Sequence, residues 1–296
     1  MSTRVTKVVV PAAGMGTRFL PATKALPKEM LPVVDKPTIQ YVIEEAVSAG
    51  LHDVLMITGR NKNALENHFD RAWELETTLL GKGDVAKLKD VTQSTGLAQI
   101  HFLRQGDPLG LGHAVSKARA HVGNEAFALL LGDIITEPLG ALLRQMLDVH
   151  ATHGGTVIAL AEVKPDDVAA YGIADVEPTE QSGRVRIRSM VEKPAPHEAP
   201  SQLAIIGRYV LPPQIFDLLD ETKPGKGNEI QLTDALNELA EDESIAGPVW
   251  GVIIDGEWYD TGDKLAYLQA VVTIAASRDD LGAEFRAWLR AFIDQK

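Results

Sequence analysis

An α/β fold is predicted by the alternation of strand and helix patterns along this chain of 296 residues. Short apolar runs, typical of buried strands, recur between segments with helical periodicity. Because strand–helix–strand crossovers join parallel strands, the alternation favours a Rossmann-like, mostly parallel central sheet flanked by helices. The strand candidates are residues 6–11, 53–58, 99–103, 126–131, 155–163, 185–192, 203–210 and 249–254.

The clearest helix candidate spans residues 37–49. Its apolar residues recur at intervals of three and four, which places them on one helical face. Pro37 suits the first helical position, and Gly50 follows as a stop signal. The sequence therefore predicts a helix that connects the first two strand candidates.

The alternation of strand and helix patterns changes in the second half of the chain. Between about residues 150 and 212 strands become more frequent and helices rarer, which predicts a smaller, partly antiparallel region. Asp255-Gly256 lies between two apolar runs and predicts a tight hairpin turn. Residues 263–296 predict two C-terminal helices, with a break near 277–280.

The predicted organisation is one α/β domain over residues 1–262, with parts at about 1–150 and 151–262, followed by the helical segment 263–296. An apolar face on that segment must pack on its own core or on another subunit. Packing on another subunit would make the protein a homo-oligomer, either a dimer or a tetramer.

Composition excludes several classes of protein. The formal charge of −12 argues against a general nucleic-acid or anionic-membrane surface. The absence of cysteine excludes disulfides and thiolate metal sites, and it fits a reducing cytoplasm. We find neither an apolar run long enough for a membrane span nor a signal-peptide core near residue 1. The sequence thus predicts a cytoplasmic protein.

A glycine turn with two cations follows the first strand candidate. Gly14 and Gly16 lack a Cβ atom, so the backbone N–H groups of this turn can approach a phosphate closely. Arg18 adds a forked donor, and Lys28 adds a mobile positive charge. The segment is therefore a candidate phosphate site.

Other phosphate-binding motifs fit less well. A dinucleotide fingerprint needs a third glycine where Phe19 stands, and the second glycine pair, Gly110 and Gly112, has Val115 in the corresponding place. No G-x-x-x-x-G-K-[ST] motif occurs, which disfavours a P-loop enzyme.

Residues 11–37 resemble the signature of the sugar-1-phosphate nucleotidylyltransferases, with Gly-x-Gly-Thr-Arg followed by Pro-Lys, Leu-Pro and Lys-Pro. Ala13, where related branches carry a second glycine, makes the segment similar to the bacterial uridylyltransferase branch. The resemblance implies a magnesium-assisted reaction of UTP with glucose 1-phosphate that gives UDP-glucose and pyrophosphate. It also implies that residues 1–150 bind the nucleotide and residues 151–262 bind the sugar.

The resemblance implies catalytic roles for Arg18 and Lys28 on the phosphates. In the base pocket it implies Gln105, whose amide can donate and accept, and Gly110, which would let the backbone approach the base. We assign no catalytic histidine, and we interpret His113 as a packing or capping residue. The implied nucleotide-binding residues are Ala12, Ala13, Gly14, Gly16, Thr17, Arg18, Gln105 and Gly110.

Two aspartates are implied as Mg²⁺ ligands. Asp133 follows a buried strand candidate, where a carboxylate suits a magnesium ion, and it is also a catalytic candidate. Asp260 precedes Thr-Gly, as in relatives that share the metal between two aspartates. Turn capping by Asp133 and helix capping by Asp260 remain alternatives, although Asp263 is the better cap candidate.

The sugar-phosphate site is implied by two short motifs. Glu192 and Lys193 belong to a Glu-Lys-Pro triplet, in which the glutamate accepts from sugar hydroxyls and the lysine pairs with the phosphate. Gly172 belongs to a Tyr-Gly pair that lies against the sugar ring. Alone, each motif is more often an ordinary surface feature.

Three other functions remain open at this stage. A pyrimidine nucleotidylyltransferase with a preference for dTTP or another hexose phosphate differs only in specificity. A non-catalytic homologue would bind nucleotide sugar and regulate a partner. An oxidoreductase would bind NAD(P), which the incomplete dinucleotide fingerprint disfavours.

Overall fold

A computed structural model describes residues 4–295 of the chain. Its strands, in chain order, are β1 (Lys7–Ala12), β2 (Pro32–Val33), β3 (Lys36–Pro37), β4 (Asp53–Thr58), β5 (Gln99–Arg104), β6 (Phe127–Leu130), β7 (Ile134–Glu137), β8 (Thr156–Glu162), β9 (Gly172–Pro178), β10 (Arg184–Glu192), β11 (Leu203–Leu211), β12 (Val249–Ile253) and β13 (Glu257–Asp260).

Its helices are α1 (Thr38–Ser48), α2 (Asn63–Phe69), α3 (Trp73–Gly81), α4 (Val85–Gln93), α5 (Leu111–Ser116), α6 (Arg119–Val122), α7 (Ala141–His153), α8 (Ile215–Glu221), α9 (Leu232–Glu241), α10 (Glu243–Ala246), α11 (Lys264–Ser277) and α12 (Gly282–Asp294). No helix between residues 4 and 295 is long and apolar enough to cross a membrane.

Nine strands form one sheet in the order β5-β4-β1-β6-β11-β8-β12-β10-β9. Strands β5, β4, β1 and β6 run parallel to one another, which confirms the predicted parallel core. Strand β11 is antiparallel to β6 and β8, and β10 is antiparallel to β12 and β9. The C-terminal half of the sheet is therefore mixed, as the change of rhythm after residue 150 predicts.

The sheet is covered on both faces. In β1, Val9 belongs to one apolar cluster, while Val8 and Val10 belong to the cluster on the opposite face. On the first face, the rings of Phe127 and Phe216 stack with centroids 5.3 Å apart. Burial on both faces explains why these parallel strands are continuous apolar runs rather than alternating patterns.

The predicted hairpin at Asp255-Gly256 is wrong. Strand β12 pairs with β8 and β10 in the main sheet, whereas β13 pairs with β7 in a separate two-stranded sheet. A Cβ atom on Gly256 would lie 2.1 Å from the carbonyl oxygen of Glu137. The glycine therefore allows a close approach to β7 rather than a hairpin turn.

The predicted helix 37–49 is confirmed to within one residue at each end as α1. Pro37 lies just before the helix, at its cap, because it also pairs with Pro32 in a short strand. Asp263 caps α11 by accepting hydrogen bonds from the backbone N–H groups of Leu265 and Ala266.

The sheet topology fixes where a ligand can bind. In the central sheet, β4 lies on one side of β1 and β6 lies on the other. Crevices at the carboxyl ends of strands on either side of such a switch point are the usual ligand sites of open α/β sheets. The loop after Ala12 and the turn at Gly132-Asp133 both leave the sheet at this edge.

Candidate active site

The loop after β1 is shaped by its glycines. Gly16 has φ 64°, and a Cβ atom there would lie 3.0 Å from Cβ of Lys28. The hydroxyl of Thr23 donates to the carbonyl oxygen of Gly16 at 2.7 Å. The loop can therefore lie close to Lys28 only because residue 16 has no side chain.

Strands β7 and β13 bring two distant aspartates together. Asp260, the last residue of β13, pairs with Ile134, the first residue of β7. Beyond this pair, the backbone N–H and the hydroxyl of Thr261 each donate to the carbonyl oxygen of Asp133 at 2.8 Å. Residues 133 and 260 are therefore neighbours although 127 positions separate them in the chain.

The two carboxylates converge on one point. A Cβ atom on Gly262 would lie 2.8 Å from Oδ2 of Asp133 and 2.9 Å from Oδ1 of Asp260. Both side chains are largely buried, at 15% exposure each. Paired carboxylates of this kind suit a divalent cation with oxygen ligands.

Each aspartate faces a cation. The ammonium group of Lys28 donates to Oδ2 of Asp133, and a guanidinium nitrogen of Arg18 lies 3.9 Å from Oδ2 of Asp260. Burial alone lowers the pKa of Lys28, but Asp133 and the neighbouring Glu29 raise it above its ordinary value overall. Lys28 therefore keeps its positive charge at neutral pH.

Asp260 carries a negative charge that its surroundings oppose. Burial, followed by the charge of Asp133, raises the pKa of Asp260 to about 6, although the backbone N–H of Gly262 partly offsets the shift. A cation bound between the two carboxylates would lower this pKa and favour the ionised form of Asp260.

The raised pKa of Asp260 makes a prediction about stability. The folded state binds a proton on Asp260 more tightly than the unfolded chain, so the free energy of unfolding falls as pH rises from about 4 to 6. In chelator, Asp260→Asn should therefore stabilise the fold by up to about 3 kcal/mol at pH 8, with no gain near pH 4. Urea denaturation across this pH range measures the difference.

Asp255→Asn, at an exposed carboxylate that does not line the cavity, is the control variant for that measurement. A loss of stability in Asp260→Asn at pH 8, or a difference that does not vary with pH, would contradict the electrostatic account.

The opposite wall of the cleft holds the predicted sugar-phosphate residues. Gly172 begins β9 and pairs with Glu192, which ends β10. The hydroxyl of Thr233 donates to Oε2 of Glu192 at 2.6 Å, and Nζ of Lys193 lies 2.8 Å from Oε1. A carboxylate and an ammonium group thus lie side by side across from the glycine loop.

Gln105 is held in place by its neighbours. Its amide nitrogen donates to the carbonyl oxygen of Gly110 at 3.0 Å and lies 3.2 Å from Nδ1 of His113. This leaves the amide oxygen of Gln105 for a ligand. His113 thus supports Gln105.

Glycine is required at position 110 for a structural reason that the sequence did not indicate. Its φ is 108°, and a Cβ atom there would lie 2.7 Å from the carbonyl oxygen of Ile230. Close packing against the segment before α9 therefore requires glycine at position 110, whether or not a base approaches it.

Two adjoining cavities share the glycine loop. The first, of about 400 Å³, is lined by Thr17 and by the predicted phosphate, metal and sugar-phosphate residues: Gly14, Gly16, Arg18, Lys28, Asp133, Gly172, Glu192, Lys193 and Asp260. The second, of about 520 Å³, is lined by Ala13, Gly14 and Gln105, together with Arg60 and Lys62. Gly14 and Met15 line both, so one ligand could extend across the loop.

Ala12, like Gly110, differs from the other predicted nucleotide-binding residues in lining neither cavity. It is the last residue of β1, is 1% exposed, and packs in the apolar core. Its side chain is therefore a core contact, and neither cavity is lined by it.

Comparison with known proteins identifies the family. The model of the family described as nucleotidyl transferase matches residues 7–277. The chain belongs to the nucleotidyl transferase family.

Curated relatives of this nucleotidyl transferase cover nearly its whole length. The UTP–glucose-1-phosphate uridylyltransferase YngB of Bacillus subtilis is 48% identical over 296 residues, which is 100% of this chain and 98% of the relative. The UTP–glucose-1-phosphate uridylyltransferase of Staphylococcus haemolyticus is 48% identical over 273 residues, 92% of this chain and 93% of that protein. The predicted family resemblance is confirmed.

Solved structures agree with the fold of the nucleotidyl transferase. A UTP-bound UGPase from Acinetobacter baumannii superposes with a TM-score of 0.88 at 39% identity, covering 96% of this chain and 98% of that one. A UDP-glucose pyrophosphorylase complexed with UDP-glucose gives a TM-score of 0.82 at 40% identity, covering 93% and 100%. The predicted α/β fold class is confirmed.

A buried arginine that is not among the predicted site residues lies behind the two aspartates of this transferase. Arg208 is fully buried, and its guanidinium group pairs with the buried Glu45 at 2.7 Å. It also donates to the carbonyl oxygens of Ile134 at 2.7 Å and Leu131 at 3.3 Å. Arg208 thus holds both sides of the turn that carries Asp133, and a charge within an apolar strand is the signal that could have revealed it.

A second buried ion pair lies behind Lys28. Nζ of Lys62 donates to Oε2 of Glu29 at 2.7 Å, and both side chains are almost fully buried. Glu29 helps to raise the pKa of Lys28, while Lys62 also lines the second cavity. Glu29 thus interacts with one lysine of each cavity, Lys28 and Lys62.

Proposed function

We propose that this nucleotidyl transferase transfers a uridylyl group from UTP to glucose 1-phosphate, giving UDP-glucose and pyrophosphate. The observation that carries the proposal is the single cavity between Arg18 and Lys28 on one wall and Glu192 and Lys193 on the other. The curated relatives bear the name of this activity, and the related structures hold UTP and UDP-glucose.

The reaction needs positioning and charge stabilisation more than proton transfer. A phosphate oxygen of glucose 1-phosphate attacks the α-phosphorus of UTP, and the bond from that phosphorus to the bridging oxygen of pyrophosphate breaks. The attacking group is already an anion, so it needs no strong general base. The main barrier is therefore the approach of two anions in line.

Different residues of the cavity would position and stabilise different parts of the two substrates. We assign the triphosphate to the loop N–H groups of Gly14 and Gly16 and to Arg18, and the reacting phosphate to Lys28. Lys193 would pair with the phosphate of the sugar, while Glu192 would accept from its hydroxyls. Gln105 would offer its amide oxygen to an N–H on the edge of the uracil ring.

Nucleotidyl transferases of this family generally use a divalent metal ion. We propose Mg²⁺ held by Asp133 and Asp260, since the two carboxylates converge on one point and are largely buried. When bound there, Mg²⁺ would neutralise charge on the phosphate oxygens.

A substrate screen tests the proposed reaction. Several nucleoside triphosphates are paired with several hexose 1-phosphates, and pyrophosphate release is measured. We expect UTP with glucose 1-phosphate to give the highest kcat/KM. A preference for dTTP or another hexose would overturn the specificity, and no pyrophosphate from any pair would favour the non-catalytic homologue.

Replacing Lys193 should affect the sugar substrate selectively. Loss of one charge-assisted hydrogen bond in Lys193→Ala should raise KM for glucose 1-phosphate roughly 10- to 100-fold and leave KM for UTP nearly unchanged. Initial-rate kinetics with each substrate varied in turn measure both constants. The exposed Lys164 provides the control variant Lys164→Ala, and a parallel rise in KM for UTP would contradict the assignment.

A homo-oligomer remains a proposal for the C-terminal segment 263–296. On α11 and α12 the apolar side chains of Leu265, Leu268 and Trp288 are 65%, 58% and 56% exposed. Such a surface supports burial against a second copy of the chain. We also propose that the chain is divided into parts at about residues 1–150, 151–262 and 263–296, and that the protein is cytoplasmic.

A further inference from the structure

We propose that Asp53, His101 and His121 form a second divalent-metal site, of the class that binds Zn²⁺. The three residues belong to β4, β5 and α6. They are the one group of at least three His, Cys, Asp or Glu side chains, among residues 4–295, whose ligand atoms lie close enough together to share a metal ion.

The ligand atoms point at a common position. Nε2 of His121 lies 2.9 Å from Oδ1 of Asp53, and Nε2 of His101 lies 3.7 Å from the same oxygen. All three ligand atoms lie within 4.8 Å of one another. Ligands of a tetrahedral zinc ion, at about 2.0–2.1 Å from the metal, are about 3.3 Å apart, so small side-chain rotations would admit the ion.

The fold itself creates this arrangement. Strands β4 and β5 are parallel, and Asp53 pairs with Gln99. His101 is two residues beyond Gln99, so it projects from the same face of the sheet as Gln99. Helix α6 covers this face and supplies His121, whose ring centroid is 4.9 Å from that of His101.

A hydrogen bond between His121 and Asp53 does not account for the whole cluster. It uses one imidazole, whereas His101 directs its Nε2 at the same carboxylate oxygen from beyond hydrogen-bond distance. The nearby ammonium group of Lys7 is engaged by Glu125 at 3.2 Å and by the carbonyl oxygen of Val122 at 3.1 Å.

The donor atoms of this cluster favour a different metal ion from the one proposed for the catalytic cleft. Two imidazoles and one carboxylate suit Zn²⁺ and similar transition metals, whereas Mg²⁺ prefers oxygen ligands alone. The side chains of His101, His121 and Asp53 are 53%, 22% and 34% exposed, so an ion can reach them and retain water as a further ligand.

The cluster is remote from the catalytic aspartates. Asp53 is the first residue of β4, while the cavities lie beyond its last residue, Thr58. Six residues of strand separate these ends by roughly 17 Å. A bound ion would cross-link edge strand β5 and helix α6 to β4, and it would thereby stabilise the edge of the sheet that precedes Gln105.

Zinc titration of the full chain tests the proposal. The chelator-treated protein is titrated with ZnCl₂ in excess Mg²⁺, which keeps the catalytic carboxylates occupied, and calorimetry gives the stoichiometry. We expect one equivalent of Zn²⁺ and a rise in Tm of a few degrees. Co²⁺ in place of Zn²⁺ should give the visible absorption of a tetrahedral site with nitrogen ligands.

Four variants locate the ion. His101→Gln and His121→Gln should each weaken Zn²⁺ binding by at least the roughly 10- to 100-fold that loss of a supporting group costs. His197→Gln, at a histidine side chain that is 83% exposed and lies outside the cluster, and Asp260→Asn should bind as the parent does. Unchanged binding in both cluster variants, loss of binding in Asp260→Asn, or no binding by the parent would overturn the proposal.

Discussion

Asp133→Asn should lower kcat by about 100- to 1000-fold, because it removes one preorganised charge from the place where the two phosphates react. This corresponds to about 2.7–4 kcal/mol of barrier. Asparagine keeps the shape of the side chain, so the hydrogen bonds from Thr261 to the backbone of residue 133 should survive. Steady-state pyrophosphate release at several Mg²⁺ concentrations measures the effect.

The dependence on Mg²⁺ distinguishes loss of a metal ligand from general damage. In Asp133→Asn the Mg²⁺ concentration for half-maximal rate should rise, while circular dichroism and Tm stay close to those of the parent. Asp263→Asn is the matched control, because the side chain of the nearby Asp263 caps α11 by accepting from the backbone N–H groups of Leu265 and Ala266. Parent-like kcat and Mg²⁺ dependence in Asp133→Asn would contradict the metal assignment.

Lys28→Met should produce the second large loss, also about 100- to 1000-fold in kcat. The ammonium group of Lys28 is held in the cavity by Asp133 and kept charged by Asp133 and Glu29. Methionine retains the bulk of the side chain that packs against Gly16 but has no charge to offer a phosphate. Single-turnover kinetics with saturating UTP isolate the chemical step.

The two variants should differ in their response to metal. Removing Lys28 takes a competing cation away from Asp133, so Lys28→Met should bind Mg²⁺ at least as tightly as the parent, in contrast to Asp133→Asn. The exposed Lys82 gives the control variant Lys82→Met, which should keep the parent rate. If Lys28→Met reduced kcat by less than about tenfold, Lys28 would act in binding rather than in the chemical step.

The first half of the fold and the phosphate loop could be predicted from the sequence because their signals are local. The continuous apolar run of β1, the helix pattern of α1 and the Gly14 to Arg18 segment each lie within a few residues. Parallel pairing then places the loops at one edge of the sheet without knowledge of long-range contacts.

The meeting of Asp133 with Asp260 could not be worked out from local patterns. It depends on two strands of four residues each, β7 and β13, which pair across 120 to 126 positions. Strand β7 was not predicted, and the apolar run of β13 was assigned to the wrong partner. The wrong hairpin at Asp255-Gly256 has the same origin, since the local turn signal gave no information about the partner strand. Family resemblance implied both aspartates, while the physical link between them appears only in the structure.

The buried ion pairs also could not be predicted from the sequence. Arg208 and Glu45 come from β11 and α1, and neither has a sequence neighbour that indicates the other. Removing one partner of such a pair typically lowers the free energy of unfolding by about 3–5 kcal/mol. The pair therefore fixes the Asp133 turn, but substitutions at either position are poorly tolerated. Long-range pairing of this kind is decided by tertiary packing rather than by local propensity.

The most direct measurement of the central claim is a crystal structure of the chain with UTP and Mn²⁺, whose anomalous signal can replace that of Mg²⁺. We expect the triphosphate along residues 14–18, the uracil ring beside Gln105, and the anomalous peak between the carboxylates of Asp133 and Asp260. A nucleotide bound outside the two cavities, or a metal ion that contacts neither aspartate, would contradict the account.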